Sequence, residues 1–113
     1  MGRRGGLALP ALALLGALLL PIRATAQESE AAMMQVGLDL LYADSDPAAA
    51  AAQFRKVLER NPSHYGETFQ LATALDRAGE VAEARPLWNK VLEMAEGYND
   101  AETAATARAR LAR

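Results

Sequence analysis

Part of this chain is written twice. Displacing the sequence by 34 residues superposes Lys56-Val57-Leu58-Glu59 on Lys90-Val91-Leu92-Glu93, and it also brings Leu41 onto Leu75, Ala48 onto Ala82 and Ala50 onto Ala84. That makes seven identities over the 32 positions from 31 to 62, and Phe54 falls on Trp88 as an aromatic pair at the same register. An alanine-rich chain matches Ala48 with Ala82 by chance easily, but hardly a tetrapeptide preceded two positions earlier by an aromatic. A fixed period of this length means one supersecondary unit built twice, and each copy has an apolar face that only a neighbour can cover.

The unit is helical. Apolar residues recur at helical intervals, as Met33, Met34, Val36, Leu38, Leu41 and Tyr42 and then as Phe54, Val57 and Leu58. Strand alternation is absent, and alanine, leucine, glutamate, lysine and arginine favour helix. Asp44-Ser45-Asp46-Pro47 ends one helix and starts the next, with Asp46 as N-cap and Pro47 at the first helical position, where a missing N–H costs nothing. Asn61-Pro62-Ser63 closes the second helix. Gly79 and Gly97 suit the left-handed position after the third and fourth helices, and Asn99-Asp100 caps a last one. In that last helix Asp100 and Glu102 lie near the positive end of the dipole and Arg108, Arg110 and Arg113 near the negative end. Pro86 falls inside the fourth helix and predicts a kink or a late start there. The expectation is all-α: five helices of about 13–16 residues joined by short turns.

A 34-residue unit of two antiparallel helices resembles the tetratricopeptide repeat. The second half of that family's pattern, alanine, then an aromatic four residues on, then proline, is met by Ala50, Phe54 and Pro62; in the second unit Ala84 and Trp88 match and Glu96 stands in place of proline. The first-half positions are occupied by Met34, Gly37, Leu38 and Leu41, then by Thr68, Leu71, Ala72 and Leu75. The small residue of the close helix crossing is thus Ala72 in the second unit, whereas Leu38 replaces it in the first, with Gly37 one place earlier. The resemblance implies a helical solenoid: repeat one over 31–62, repeat two over 65–96, and a capping helix over 99–113. It makes Ala50, Phe54, Ala84 and Trp88 the repeat core. It also implies a ligand groove on the first helices of the units, at Gln35, Asp39 and Tyr42 and at Phe69, Thr73, Asp76 and Arg77. The lysine and asparagine set with which some members clamp a peptide's terminal carboxylate is missing.

The first 26 residues are a different kind of polymer. Arg3-Arg4 precede a stretch from Leu7 to Ile22 that is apolar apart from Gly16, Pro10 and Pro21, and Ala24-Thr25-Ala26 supplies small residues at the spacing a signal peptidase accepts. These are the three parts of a secretory signal peptide. A spanning helix would need about 20 uninterrupted apolar residues, and Pro10 interrupts this run. The expected organisation is signal peptide 1–26, a short polar lead 27–32 and a helical domain 33–113, with the exported chain periplasmic or extracellular and no membrane contact after cleavage. There is no cysteine to carry a lipid or a disulfide.

Cleavage removes Arg3, Arg4 and Arg23 and leaves nine Lys+Arg against 14 Asp+Glu. That balance argues against nucleic acid as a partner. No catalytic constellation appears either. His64 is the only histidine and sits beside a Pro-Ser turn, where a surface or capping role explains it better than base catalysis without an orienting partner. Ser29, Ser45 and Ser63 lie at turns or in the lead. Asp44, Ser45 and Asp46 lack the glycine and later glutamate of a calcium loop, and Pro62 blocks glycosylation at Asn61. Glu59 and Glu93 repeat, yet each follows a lysine by three residues, as an exposed helical pair would.

The expected role is therefore a scaffold or adaptor that binds a protein or peptide, with no cofactor, no metal and no catalysis. With Met33, Met34 and Val36 at the first end of the stack, the exported chain is expected to be monomeric or weakly dimeric through residues 33–42, while the last helix, with Leu111 as its one large apolar residue, makes a quiet cap. The alternative is a structural subunit whose repeats stack end to end.

Overall fold

The computed structural model describes residues 30–113; the signal segment 1–26 and the start of the lead lie outside them. Residues Met33–Arg113 form one compact unit. Five helices make it up, and no strand occurs among the described residues. Helix α1 is helical at residues 30–38 and closes in a π turn over Asp39–Ala43. It is followed by α2 (Pro47–Arg60), α3 (Tyr65–Arg77), α4 (Val81–Gly97) and α5 (Ala101–Leu111). Helix is already present at residues 30–32, ahead of the expected start at Met33.

The helix starts follow from their caps. The Asp46 carboxylate accepts the Ala49 N–H at 3.2 Å with Pro47 at the first position of α2, and Asp100 accepts the Thr103 N–H at 3.1 Å at the head of α5. His64 caps α3, its Nδ1 accepting the Glu67 N–H at 3.2 Å. Three turns end on a left-handed residue: Ser45 (φ 53°), Gly79 (φ 82°) and Asn99 (φ 57°). Gly97 is not the left-handed residue after α4. It closes the helix, and Asn99, which tolerates this conformation better than most side chains, turns the chain instead. Pro86 causes no late start, because α4 begins five residues earlier and runs through it.

Each helix packs extensively on the next in the chain. Side-chain links between alternate helices show which run side by side. Tyr65 donates to Asp100 at one end of α3 and α5, and Arg113 bonds Asp76 at the other, so these two helices are parallel. Arg55 pairs with Glu83, and Lys90 donates to the Pro62 carbonyl, both across 28 residues; α2 and α4 are therefore parallel too.

Burial repeats with the sequence. Leu41 and Leu75, Ala50 and Ala84, Phe54 and Trp88, and Val57 and Val91 are all at most 2% exposed, whereas Lys56, Lys90, Glu59 and Glu93 face solvent. Upstream of Leu41 the equivalence breaks. A Cβ built on buried Gly37 would stand 2.5 Å from Cε1 of Phe54, so Gly37, not Leu38, is the close-approach residue of the first unit. Its counterpart is Ala72, 35 residues on, and the next is Ala107, 35 further, both fully buried. The π turn explains the extra residue. It closes with Asp44 N–H on the Asp39 carbonyl at 2.9 Å, widening the helix by one position and restoring register by Leu41.

Candidate functional site

Tyr42 leaves the π turn half exposed and reaches across to α3, where its hydroxyl donates to Gln70 Oε1 at 2.8 Å. Seven residues further along α3, and so on the same stripe, the Arg77 guanidinium lies 4.9 Å from the centroid of the Tyr42 ring. On α1 itself Gln35 donates to Asp39 at 2.9 Å, one turn apart. Four of the residues expected from sequence, Gln35, Asp39, Tyr42 and Arg77, are thus solvent-facing, and the last two are in contact.

The other three are turned further inward. Phe69 is half-buried and meets the edge of Trp88 at 5.4 Å between ring centroids. Thr73 is buried, its hydroxyl returned to the Phe69 carbonyl at 2.9 Å. The Asp76 side chain is only 8% exposed, and one of its oxygens accepts both the Trp88 indole N–H at 2.8 Å and Arg113 at 3.1 Å. Asp76 therefore satisfies the single indole and ties α5 to α3; its work is internal. Ala50, Phe54, Ala84 and Trp88 form the core, as their burial shows.

Phe69 and four residues outside the expected set complete the face. Tyr65, Gly66, Phe69 and Gln70 of α3 and Thr103 of α5 line a hollow of about 170 Å³. This is below the range of small-molecule sites, about 300–1,000 Å³, and closer to the size of one side chain. Its wall is fixed at the α5 end. Asp100 takes hydrogen bonds from the hydroxyl and backbone N–H of Thr103 and from the Tyr65 hydroxyl, which together hold its carboxyl below the usual value. Burial pushes the Tyr65 phenol up, and the ring packs 5.2 Å from Tyr98. Further along α5, the Arg110 guanidinium stands 6.0 Å from the centroid of Trp88.

Gln70 and Thr103 carried no signal in the sequence beyond their helical register, and Arg110 only that of a cation at the end of the last helix, because the π turn and the path of α5 decide what faces them. Among the described residues no group of three or more His, Cys, Asp or Glu side chains is placed to hold a metal. No helix among them is long and apolar enough to cross a membrane. Comparison with protein-family models, with curated proteins and with solved structures finds no match for this chain.

Proposed function

We propose that this chain is an exported tetratricopeptide-repeat protein that acts as a scaffold or adaptor by binding another protein, without catalysis. The observation that carries the reading is the face shared by α1, α3 and α5, where Tyr42, Gln70 and Arg77 meet and Gln70 continues into the hollow with Tyr65, Phe69 and Thr103. Aromatic rings and a guanidinium are the side chains enriched where proteins bind, and here they stand on a helical frame. The hollow supplies a seat for one side chain, and the backbone around it is held by packing on both sides. The repeat of burial at 34 residues supports the family, since it assigns the same core role to Phe54 and Trp88. The segment 1–26 supports export.

Affinity capture from the exported-protein fraction tests the reading with three immobilised forms. These are the wild type, a Tyr42→Ala/Gln70→Ala variant of the shared face, and an Arg55→Ala/Glu83→Ala variant of the α2/α4 side. A partner retained by the first and third but lost from the second supports it. Loss only from the third transfers the binding surface to α2 and α4.

A further inference from the structure

Helix α5 is attached differently from the helices inside the stack. α3 buries Leu71, Ala72, Ala74 and Leu75, and α4 buries Ala84, Trp88, Val91 and Ala95. The buried residues of α5 are Ala104 and Ala107, and its one large apolar side chain, Leu111, is half-buried. Alanine lets α5 lie close on α4, but each adds a single methyl group to the apolar surface removed from water.

Charge supplies what bulk does not. At the head of α5 the Asp100 carboxylate accepts from the Tyr65 hydroxyl of α3 at 2.9 Å. At its end Arg113 bonds Asp76 of α3 at 3.1 Å, and Arg85 of α4 donates to the Leu111 carbonyl at 2.9 Å, placing a cation on the negative end of the helix dipole. Between them Arg108 pairs with Glu96 of α4 at 3.8 Å, and the Arg110 guanidinium stands over Trp88 at 6.0 Å from the ring centroid. Every one of these links carries an ionised group. Arg108, Glu96 and Arg113 are more than half exposed, so dissolved salt reaches them.

Thr103 makes the attachment matter to the face. It is the contribution of α5 to the hollow, whose other walls, Tyr65, Gly66, Phe69 and Gln70, all belong to α3. α3 packs on both α2 and α4 and keeps those neighbours when α5 leaves. Without α5 the hollow loses one side, and Trp88, buried in the same core as Ala107 and overlain by Arg110, gains access to solvent. We propose that α5 is a lid on this face held shut by charge: it opens as one unit while α3 and α4 stay folded, and ionic strength sets how often the hollow is complete. The distance over which exposed charges act falls from about 10 Å at 0.1 M salt to about 3 Å at 1 M, whereas the apolar packing of α3 on α4 is not screened. Opening at the end of a repeat stack breaks one interface only, which keeps it below the free energy of global unfolding. Control of the hollow rests on the shared face being the partner surface; the opening itself does not.

Peptide-resolved hydrogen exchange of the full exported protein measures the opening, and acrylamide quenching of Trp88, the single tryptophan, reports it from the surface beneath. Amides of Ala101–Leu111 should exchange about tenfold faster than those of α4. Raising sodium chloride from about 0.05 M to about 1 M should speed them about fivefold further and leave α3 and α4 unchanged. Arg85→Gln and Arg113→Gln, both at exposed side chains, should each speed them about threefold, the size of one exposed charge contact, and make Trp88 more quenchable. Arg55→Gln, on α2, should alter neither. Exchange of α5 at the rate of α4 overturns the lid. Fast exchange indifferent to salt and to both variants overturns it too, since that is an ordinary frayed end. Partner capture separates the lid from the face it covers: Arg85→Gln/Arg113→Gln should retain the partner more weakly than the wild type. Equal retention, with α5 measured as open, overturns control of the hollow, while loss from Tyr42→Ala/Gln70→Ala would still uphold the shared face. A partner kept by Tyr42→Ala/Gln70→Ala while α5 opens as expected removes the face and leaves the lid.

Discussion

Gly37→Ala separates packing from helix propensity at a single atom. In an ordinary helix interior this change stabilises by about 0.5–1 kcal/mol, because glycine loses more backbone freedom on folding. Here the new Cβ would lie 2.5 Å from Cε1, 2.9 Å from Cδ1 and 3.0 Å from Cζ of Phe54. Carbon atoms settle at about 3.5–4.0 Å, so the ring or the helix must move by about 1 Å. Phe54 is fully buried and has nowhere to go. Overpacking of this kind costs about 1–3 kcal/mol, and the net expectation is a loss of about 1–2 kcal/mol, or roughly 4–8 °C of Tm per kcal/mol for a domain this small.

Urea unfolding followed by circular dichroism measures it, and two other glycines serve as internal controls. A Cβ on Gly66 meets only His64 at 3.6 Å, and one on Gly97 meets nothing within 4 Å, so alanine at either should be neutral or stabilising by up to about 0.5 kcal/mol. Phe54→Leu in the Gly37→Ala background should recover part of the loss, giving a coupling of about 1 kcal/mol in a double-mutant cycle. Stabilisation by Gly37→Ala equal to that of Gly97→Ala would refute the argument, and with it the assignment of Gly37 as the counterpart of Ala72.

Three further outcomes are expected. Phe54→Ala and Trp88→Ala should each cost about 3–5 kcal/mol in denaturant unfolding, while Lys56→Ala, exposed on α2, should cost well under 1 kcal/mol; equal small effects would break the equivalence of the two units. Asp100 is held below the usual 3.8 by its hydrogen bonds to Thr103 and Tyr65, so its contribution is present above that value and is lost as the pH falls through the lowered pKa. Thermal melts of Asp100→Asn between pH 5 and 2, values bracketing an ordinary aspartate at about 3.9, should show a shallower decline than the wild type, and an identical slope would remove Asp100 from the acid response. The intact mass of the exported protein should correspond to a chain beginning at Gln27, and retention of Met1 would overturn signal cleavage after Ala26.

How much could be read in advance depended on how local the cause was. Asp46, Pro47 and Asp100 act within three residues of themselves, so the starts of α2 and α5 followed from sequence. The downstream part of the repeat was legible because Ala50, Phe54 and Val57 recur with their spacing intact in the second unit. The π turn was not, since one inserted residue reads in a fixed 34-residue alignment as a run of mismatches, which is why Leu38 sat where Gly37 belongs. At the α4 end Gly97 looked like the stronger left-handed signal than Asn99, but the turn is set by where Asp100 must cap α5. The face itself was partly legible. The repeat resemblance, carried over by register, pointed to Tyr42 and Arg77 on α1 and α3, whereas the burial of Asp76 depends on an indole twelve residues away, and the hollow depends on Thr103 of a helix that sequence marked only as a cap.

Hydrogen exchange of the exported protein, alone and saturated with the partner that the wild type captures, tests the central claim that the α1, α3 and α5 face is the working surface. The account predicts slowed exchange confined to residues 35–42, 66–77 and 103–113, with α2 and the outer side of α4 unchanged. Protection over α2 and α4, with α1, α3 and α5 exchanging as in the free protein, would contradict it.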